Sequence, residues 1–200
     1  MEVHFPKGGL AILVGAPGSG KTALAARLVA TCQVLSTEIV SSDLLRAQIC
    51  DDLGNQSVAV TAATFDLLHR VVDFRLKHRK RVLVDATNVE GHTRPELLKI
   101  ARQYSCPTVA IVLNTPAAVC QERNAVRVGP KKVEQAYMDM LCRLMRTVPR
   151  KLAAEHFDQV VVVSGQRETE KLVITNRDLA PKDLQTSWLE SAEEHLSLVG

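Results

Sequence analysis

The chain has 200 residues, of which 46% are hydrophobic and 24% are charged. These values are those of a globular protein with a full core, and they exclude general disorder and a fibrous architecture. No apolar run approaches the roughly 18 residues of a membrane span and the N-terminus lacks a signal-peptide pattern, so we expect a cytoplasmic protein without membrane contact. The five cysteines are scattered without a C-x-x-C pair, which favours reduced thiols over disulfides or a zinc site.

Charge is distributed unevenly along the chain. Residues 1–165 carry 21 basic and 15 acidic side chains, whereas residues 166–200 carry 4 and 7. The positive excess lies between Arg123 and Lys151, where eight basic residues accompany two acidic ones. Such a cluster suggests a polyanionic ligand, and a solvated helix face is the alternative. We divide the chain into one domain over 1–165 and an acidic C-terminal extension over 166–200 that is partly helical or mobile.

Strand and helix patterns alternate along the domain. Short apolar runs predict five buried strands, over 10–14, 38–41, 82–85, 107–113 and 160–163. Apolar residues at helical spacing predict helices over 21–31, from 43, and over 58–80, 95–104, 116–127 and from 132. In the helix over 58–80 the predicted buried face is formed by Ala63, Leu67, Val71 and Phe74. Strands separated by helices predict a doubly wound α/β fold around a parallel sheet of about five strands.

The segment between the first strand and the first helix matches the phosphate-loop motif G-x-x-x-x-G-K-[ST]. It consists of Gly15, Ala16, Pro17, Gly18, Ser19, Gly20, Lys21 and Thr22. The glycines allow backbone amides to turn towards an anion, and the helix N-terminus behind them adds about half a positive charge. Lys21 is expected to contact the β- and γ-phosphates, and Thr22 to offer its hydroxyl to Mg²⁺. The motif therefore predicts a P-loop that binds a nucleoside triphosphate.

Three further polar residues follow predicted strands. Asp85 ends the strand over 82–85, where a Walker-B carboxylate helps to hold Mg²⁺; a turn-forming or capping role is the alternative. Asp43 lies between a strand and a helix, so it is an N-capping or first-turn acid, a general base that accepts a proton from an attacking hydroxyl, or both. Arg46 lies three residues later on the same helix face, where it can orient that base or the acceptor. The carboxyl ends of parallel strands share one edge, so we expect these residues in one crevice.

Two arginines precede the Gly129-Pro130 break after the fourth strand. Arg123 and Arg127 are four residues apart on one predicted helix, so both guanidiniums project the same way. Phosphoryl transfer spreads negative charge over equatorial oxygens, and planar cationic donors stabilise this charge. The pair therefore indicates a helical lid over the nucleotide, with ordinary surface arginines as the alternative.

Together these segments resemble the P-loop polynucleotide 5′-hydroxyl kinase family, in particular the kinase module of bacterial polynucleotide kinase–phosphatase. The resemblance covers about residues 8–165 in one register. The motifs that carry it are, in chain order, Gly15–Thr22, Ser41–Asp43 with Arg46, Asp51–Asp52 followed by Asn55–Ser57, Asp85–Val89 and Cys120–Asn124.

The resemblance implies transfer of the γ-phosphate of ATP, with Mg²⁺, to the 5′-OH end of DNA or RNA, as in nucleic-acid repair. Lys21, Asp43, Arg123 and Arg127 are the catalytic residues that it implies, with Asp43 as the general base and the two arginines in the lid. Arg46 matches the arginine that contacts the acceptor together with Asp43. Thr22 and Asp85 are the metal-site pair. A phosphatase or ligase module is an expected partner.

Two departures from the family leave other functions open. The lid is shortened after Arg127, and Lys131 and Lys132 stand where the family continues with a third arginine. No phosphatase module follows, so we expect a stand-alone kinase or an excised domain. The alternatives are a P-loop kinase with a small-molecule acceptor and a nucleotide-binding switch that transfers no phosphate. The sequence does not determine the oligomeric state.

Overall fold

A computed structural model describes residues 1–52 and 55–175. The strands are β1 (Glu2–His4), β2 (Leu10–Val14), β3 (Ile39–Ser41), β4 (Val82–Asp85), β5 (Thr108–Leu113), β6 (Gln159–Val163) and β7 (Val173–Thr175). The helices are α1 (Lys21–Ala30), α2 (Ser42–Cys50), α3 (Val58–Lys77), α4 (Pro95–Gln103), α5 (Ala117–Ala125), α6 (Gln135–Met145), α7 (Val148–Ala154) and α8 (Gly165–Lys171). Short 3₁₀ turns precede β3, α4 and α6. No helix in these two ranges is both long and apolar enough to span a bilayer.

Five of the strands form one parallel sheet in the order β3-β4-β2-β5-β6. Helices α3, α4, α6 and α7 contribute buried apolar side chains to a core on one face, and α1 contributes to a second core on the other. The predicted fold class is confirmed: this is a doubly wound α/β fold of the P-loop type, with helices on both faces. Helix α5 is the predicted lid helix. All five carboxyl ends meet at one edge, which positions the P-loop, Asp43 and Asp85 there.

A second, two-stranded parallel sheet joins β1 to β7 and was not predicted. Val3 pairs with Ile174, and both side chains are buried. Runs of three residues are too short for period-2 alternation to be recognised. The start of the predicted extension thus contains α8 and β7. The domain division at residue 165 stays a prediction, and residues 176–200, with the weak helical pattern of the extension, lie outside the described residues.

The predicted buried face of α3 is wrong: it is displaced along the sequence from the observed one, by one residue at three of its four positions and by two at the fourth. The side chains that pack inward are Thr64, Leu68, Val72 and Leu76, whereas Phe74 is 65% exposed. Thr64 can lie in the core because its hydroxyl donates to the carbonyl of Val60 at 2.7 Å. A polar residue thus occupies a position that the apolar pattern assigns to its neighbour.

The last predicted helix of the domain consists of two helices, α6 and α7. Helix α6 ends at Met145, and α7 begins at Val148 with Pro149 in its first turn. Proline has no N–H to donate to the preceding turn, so it is tolerated at a helix start and interrupts a continuous helix. Met145 and Val148 are buried on either side of this break.

Candidate active site

The backbone conformation and packing of the P-loop require glycine at Gly18. Gly18 and Gly20 have φ values of 84° and 101°, which L-residues with a side chain rarely adopt. A Cβ at Gly18 would lie 2.8 Å from the carbonyl oxygen of Cys120 in α5. The hydroxyl of Ser19 is buried and has no hydrogen-bond partner within the described ranges. An unsatisfied hydroxyl in a loop of inward-facing amides fits a site for an anion.

Lys21 is folded back onto the loop that precedes it. Its Nζ atom donates to the carbonyls of Gly15 at 2.8 Å and Ala16 at 3.1 Å. Burial lowers the pKa of Lys21 to about 8, against the opposing effect of the negative charges of Asp85 and Asp43. An anion in the loop would raise this pKa again and so stabilise the charged form of the lysine.

Thr22 and Asp85 meet at the predicted metal position. The Thr22 hydroxyl donates to Asp85 Oδ2 at 2.9 Å. Burial raises the pKa of Asp85, which the bond from Thr22 and the charge of Lys21 partly offset. Hydroxyl and carboxylate oxygens suit Mg²⁺, which takes its remaining ligands from phosphate and water. The described ranges contain no cluster of three or more His, Cys, Asp or Glu side chains that could hold a metal ion by itself.

Asp43 lies beside Asp85 at the same sheet edge. Ser41, the register partner of Asp85, caps α2 by accepting a bond from the backbone of Leu44, so Asp43 is a first-turn residue and not the N-cap. The side chain of Asp43 is 55% exposed, and its charge acts on both Lys21 and Asp85. Its carboxylate therefore belongs to the P-loop crevice.

Arg46 lies beneath Asp43 and is almost completely buried. Its Nη1 atom is 3.4 Å from Asp43 Oδ1, and its Nε has no hydrogen-bond partner among the described residues. Burial of a guanidinium with an unused donor is costly, and an acceptor that approached Asp43 could satisfy it. The prediction that Arg46 contacts an acceptor stays untested, but the side chain is placed where it could do so.

The two lid arginines approach the P-loop from different elements. Arg123 lies on α5 and donates from Nη1 to the carbonyl of Gly18 at 3.0 Å. The spacing predicted that Arg127 lies on the same helix. This prediction is wrong, because α5 ends at Ala125. It lies in the following loop and donates to the carbonyl of Lys131 at 3.2 Å. Its positive charge nevertheless acts on Lys21, so both arginines border the same crevice.

Asn124 closes the lid loop and explains why α5 ends early. Its buried amide donates from Nδ2 to the carbonyl of Val133 at 2.8 Å and accepts from the amide of Val133 at 3.0 Å. These two bonds join the ends of the loop that carries Arg127 and Lys131. The pattern of charges and apolar residues gave no indication of this clamp.

Two residues that support the P-loop were given no role in the sequence analysis: Asn88, which lies in the Asp85–Val89 motif, and Arg94, which lies in none of the motifs. Asn88, in the left-handed region with φ 49°, donates from Nδ2 to the carbonyl of Leu13 at 2.9 Å. Arg94 is fully buried, forms a two-pronged ion pair with Glu155, and donates to the carbonyls of Asn88 and Val89. The position of an arginine directly before a helix-starting proline is the only local signal for it. The loop after β4 is therefore fixed from both sides.

The chain is similar in sequence to one protein family and in fold to solved structures. The sequence profile of the AAA domain family (AAA_33) matches residues 10–150. No curated protein matches the sequence significantly. Among solved structures, an inferred kinase from Chloroflexus aurantiacus is 15% identical with a TM-score of 0.62, over 95% of this chain and 98% of that one.

Two further solved structures are similar to this chain. A chain of the Pnkp1/Rnl/Hen1 RNA repair complex is 16% identical with a TM-score of 0.58, over 94% of this chain and 86% of that one. The APS kinase CysC of Mycobacterium tuberculosis, in complex with AMPPNP and APS, is 20% identical with a TM-score of 0.48, over 97% and 98% of the two chains. The first of these shares the fold described above.

Proposed function

The chain belongs to the AAA domain family, and we propose that it is an ATP- and Mg²⁺-dependent polynucleotide 5′-hydroxyl kinase. One observation carries this proposal: Asp43 lies at the sheet edge beside Asp85 and is close enough to Lys21 for their charges to interact. A carboxylate beside the P-loop lysine can accept the proton of the hydroxyl that attacks a bound triphosphate.

In the proposed reaction, Asp43 accepts the proton of the acceptor 5′-hydroxyl. The hydroxyl oxygen forms a bond to the γ-phosphorus as the bond from that phosphorus to the β,γ-bridging oxygen breaks, and ADP leaves. Lys21, Arg123 and Arg127 hold the negative charge of the transferring group. Thr22 and Asp85 would hold Mg²⁺, which neutralises phosphate charge when bound. Each of these roles rests on the placement of the side chains around one crevice.

The choice of a nucleic-acid acceptor has separate support. The Ser-Ser-Asp segment with Arg46 and the Asp-Ala-Thr-Asn-Val segment are the motifs of polynucleotide kinases that this sequence resembles. Buried Arg46, with a free Nε within the described residues, is suited to a phosphate next to the reacting hydroxyl. We also propose a phosphatase or ligase module as partner, as in repair systems that combine end-processing activities.

A small-molecule acceptor is the second candidate, favoured by the short lid. The Asn124–Val133 clamp limits the loop to the few residues between them, so little chain is available to cover a long acceptor. A sugar or nucleoside would need less cover than a strand end. The fold accommodates either acceptor.

A labelled-phosphate assay tests the proposal. Wild-type protein with [γ-³²P]ATP and Mg²⁺ is expected to label 5′-OH DNA or RNA oligonucleotides, and Asp43→Asn is expected to lower kcat by about 10²- to 10⁴-fold without weakening ATP binding. Asp66→Asn is the matched control, because Asp66 also pairs with a helical arginine but lies on the exposed face of α3. Labelling of metabolites alone would favour the second candidate, and ATP hydrolysis that no acceptor changes would favour a switch.

A further inference from the structure

The arginines of this protein fall into two groups. Ten of the described arginines donate a hydrogen bond or form an ion pair within the protein: Arg27, Arg46, Arg70, Arg75, Arg79, Arg81, Arg94, Arg102, Arg123 and Arg127. Among the residues in ranges 1–52 and 55–175, four others have no such partner, namely Arg143, Arg146, Arg150 and Arg167. Arg143 lies on α6, Arg150 lies on α7, and Arg146 lies directly after α6, between the two helices. Arg167 lies on α8.

Two of the unpaired arginines border a concave surface. Arg143 and Arg146 line a cleft of about 300 Å³ between α5 and α6, together with Gln121 and Asp139. Arg146 also lines an adjoining cleft of about 270 Å³ that reaches Ala16 of the P-loop. The two clefts therefore form a surface that borders the lid helix and reaches the P-loop.

Asp139 is the natural partner of Arg143, yet the two do not pair. They are four residues apart on α6, a spacing at which opposite charges usually meet. Asp139 Oδ1 instead accepts bonds at 2.8 Å from the side-chain amides of Gln121 and Gln135. Asp139 is thus bonded to two glutamine amides, and within the described ranges neither guanidinium of the cleft has a hydrogen-bond or ion-pair partner.

We propose that this cleft, the α5–α6 cleft, is a second nucleic-acid site that binds backbone phosphates outside the catalytic crevice; the inference rests on the proposed function. Two guanidiniums one helical turn apart offer planar, paired donors to phosphodiester oxygens. With aromatic residues at only 4% of the chain, backbone contacts suit it better than base stacking.

A second phosphate-binding site would make the affinity for the acceptor depend on the length of the strand. A long strand reaches both the crevice and the α5–α6 cleft, whereas a nucleoside 3′-monophosphate occupies the crevice alone. Each phosphate contact to a single strand contributes about 0.7 to the salt dependence of binding, so two contacts contribute about 1.4 to the slope of log K against log salt concentration.

The test compares the double variant R143A/R146A with wild type and with Arg167→Ala, an unpaired arginine elsewhere on the surface. KM is measured for 5′-OH oligonucleotides of increasing length and for a nucleoside 3′-monophosphate. The double variant is expected to raise KM roughly 5- to 30-fold for long oligonucleotides only, with kcat unchanged. Arg167→Ala should change neither. Equal KM values for the double variant and wild type at every length would overturn the proposal.

A binding measurement tests this inference separately from the proposed function. The affinity for a labelled, 5′-phosphorylated oligonucleotide, which cannot be phosphorylated again, is measured over a range of salt concentrations. The salt slope should fall by about 1.4 in R143A/R146A and be retained in R143K/R146K, which keeps the charge. Absence of kinase activity on every nucleic acid would end the proposed function while leaving this result interpretable. An unchanged slope would end the cleft proposal alone, and point to another partner for the arginines.

Discussion

The hydroxyl of Thr22 donates to the carboxylate of Asp85 across 2.9 Å, and this bond joins the first turn of α1 to the end of β4. The two residues lie 63 positions apart in sequence. Parallel pairing of β2 with β4 brings them together, so the metal position is produced by the sheet and not by a local motif.

Asp85→Asn should separate metal binding from folding. The amide retains the volume and an acceptor for Thr22 but loses the charge, so activity at limiting Mg²⁺ should fall about 10- to 100-fold, with partial recovery at high Mg²⁺. Asp158→Asn is the control, because Asp158 also accepts a threonine bond, from Thr108 at the opposite sheet edge. A Mg²⁺ titration that is the same for both variants would contradict the assignment.

Lys21 makes nucleotide affinity sensitive to alkaline pH. Its pKa is lowered by burial to about 8, and a bound triphosphate raises it, so binding takes up a proton above pH 8. The affinity for a non-hydrolysable ATP analogue should therefore weaken above pH 8 and approach a tenfold loss per unit. Calorimetry in buffers of different ionisation enthalpy measures the uptake. Lys21→Arg, which stays charged, should show none.

The same lysine affects stability in the opposite direction. An unfolded lysine titrates near 10.4, so between about pH 8 and 10.4 the unfolded chain binds more protons at this position than the folded one. Its contribution to the free energy of unfolding rises across that interval. Wild type should therefore gain stability relative to Lys21→Met as pH increases from 8 to 10.

The two lysines of the lid loop should differ in their effect on catalysis. Lys132 donates from Nζ to the carbonyl of Ala125 at 3.4 Å, within the lid itself. Burial raises the pKa of Asp85, and the charge of Lys131 partly offsets this, so Lys131 faces the crevice. Lys131→Ala should lower kcat about 10- to 100-fold and Lys132→Ala less than 2-fold, measured with a saturating acceptor. Equal losses would show that both lysines act only on the fold of the loop.

Arg94 should be the most costly arginine to replace. It is fully buried and paired with Glu155, so Arg94→Met leaves a carboxylate uncompensated and should destabilise the protein by about 3–5 kcal/mol in urea unfolding. The exposed Arg70–Asp66 pair is the comparison, with about 0–1 kcal/mol expected for Arg70→Met. Weaker nucleotide binding should accompany the first change, because Arg94 holds the carbonyls after β4 that support the P-loop.

Much of the fold follows from local sequence signals. The strand over 10–14 is a continuous apolar run followed by the glycine pattern of the P-loop, and both features are readable without tertiary information. The meeting of Asp43 and Asp85 at one edge also follows, because parallel strands align their carboxyl ends. The functions assigned to these residues stay predictions until the variants are measured.

Other features depend on contacts between distant residues, which no local pattern encodes. The buried face of α3 is set by the sheet, and Thr64 is admitted because its hydroxyl is satisfied within the helix. Arg94 can be buried because the carboxylate of Glu155, 61 residues away in sequence, compensates its positive charge. The departure of Arg127 from α5 depends on the side chain of Asn124 reaching Val133. In each case a polar group finds a partner that only the assembled chain supplies.

The close approach of Gly18 to Cys120 has a thermodynamic consequence. The P-loop and the lid helix touch at a position with no room for even a methyl group, and Arg123 adds a hydrogen bond there. If phosphate binding moves the Gly18 peptide, it changes the equilibrium between positions of α5. By linkage, a shift of α5 changes the affinity of the P-loop for phosphate by the same factor. Phosphate binding in the P-loop and the position of α5 are therefore coupled in both directions through this one contact.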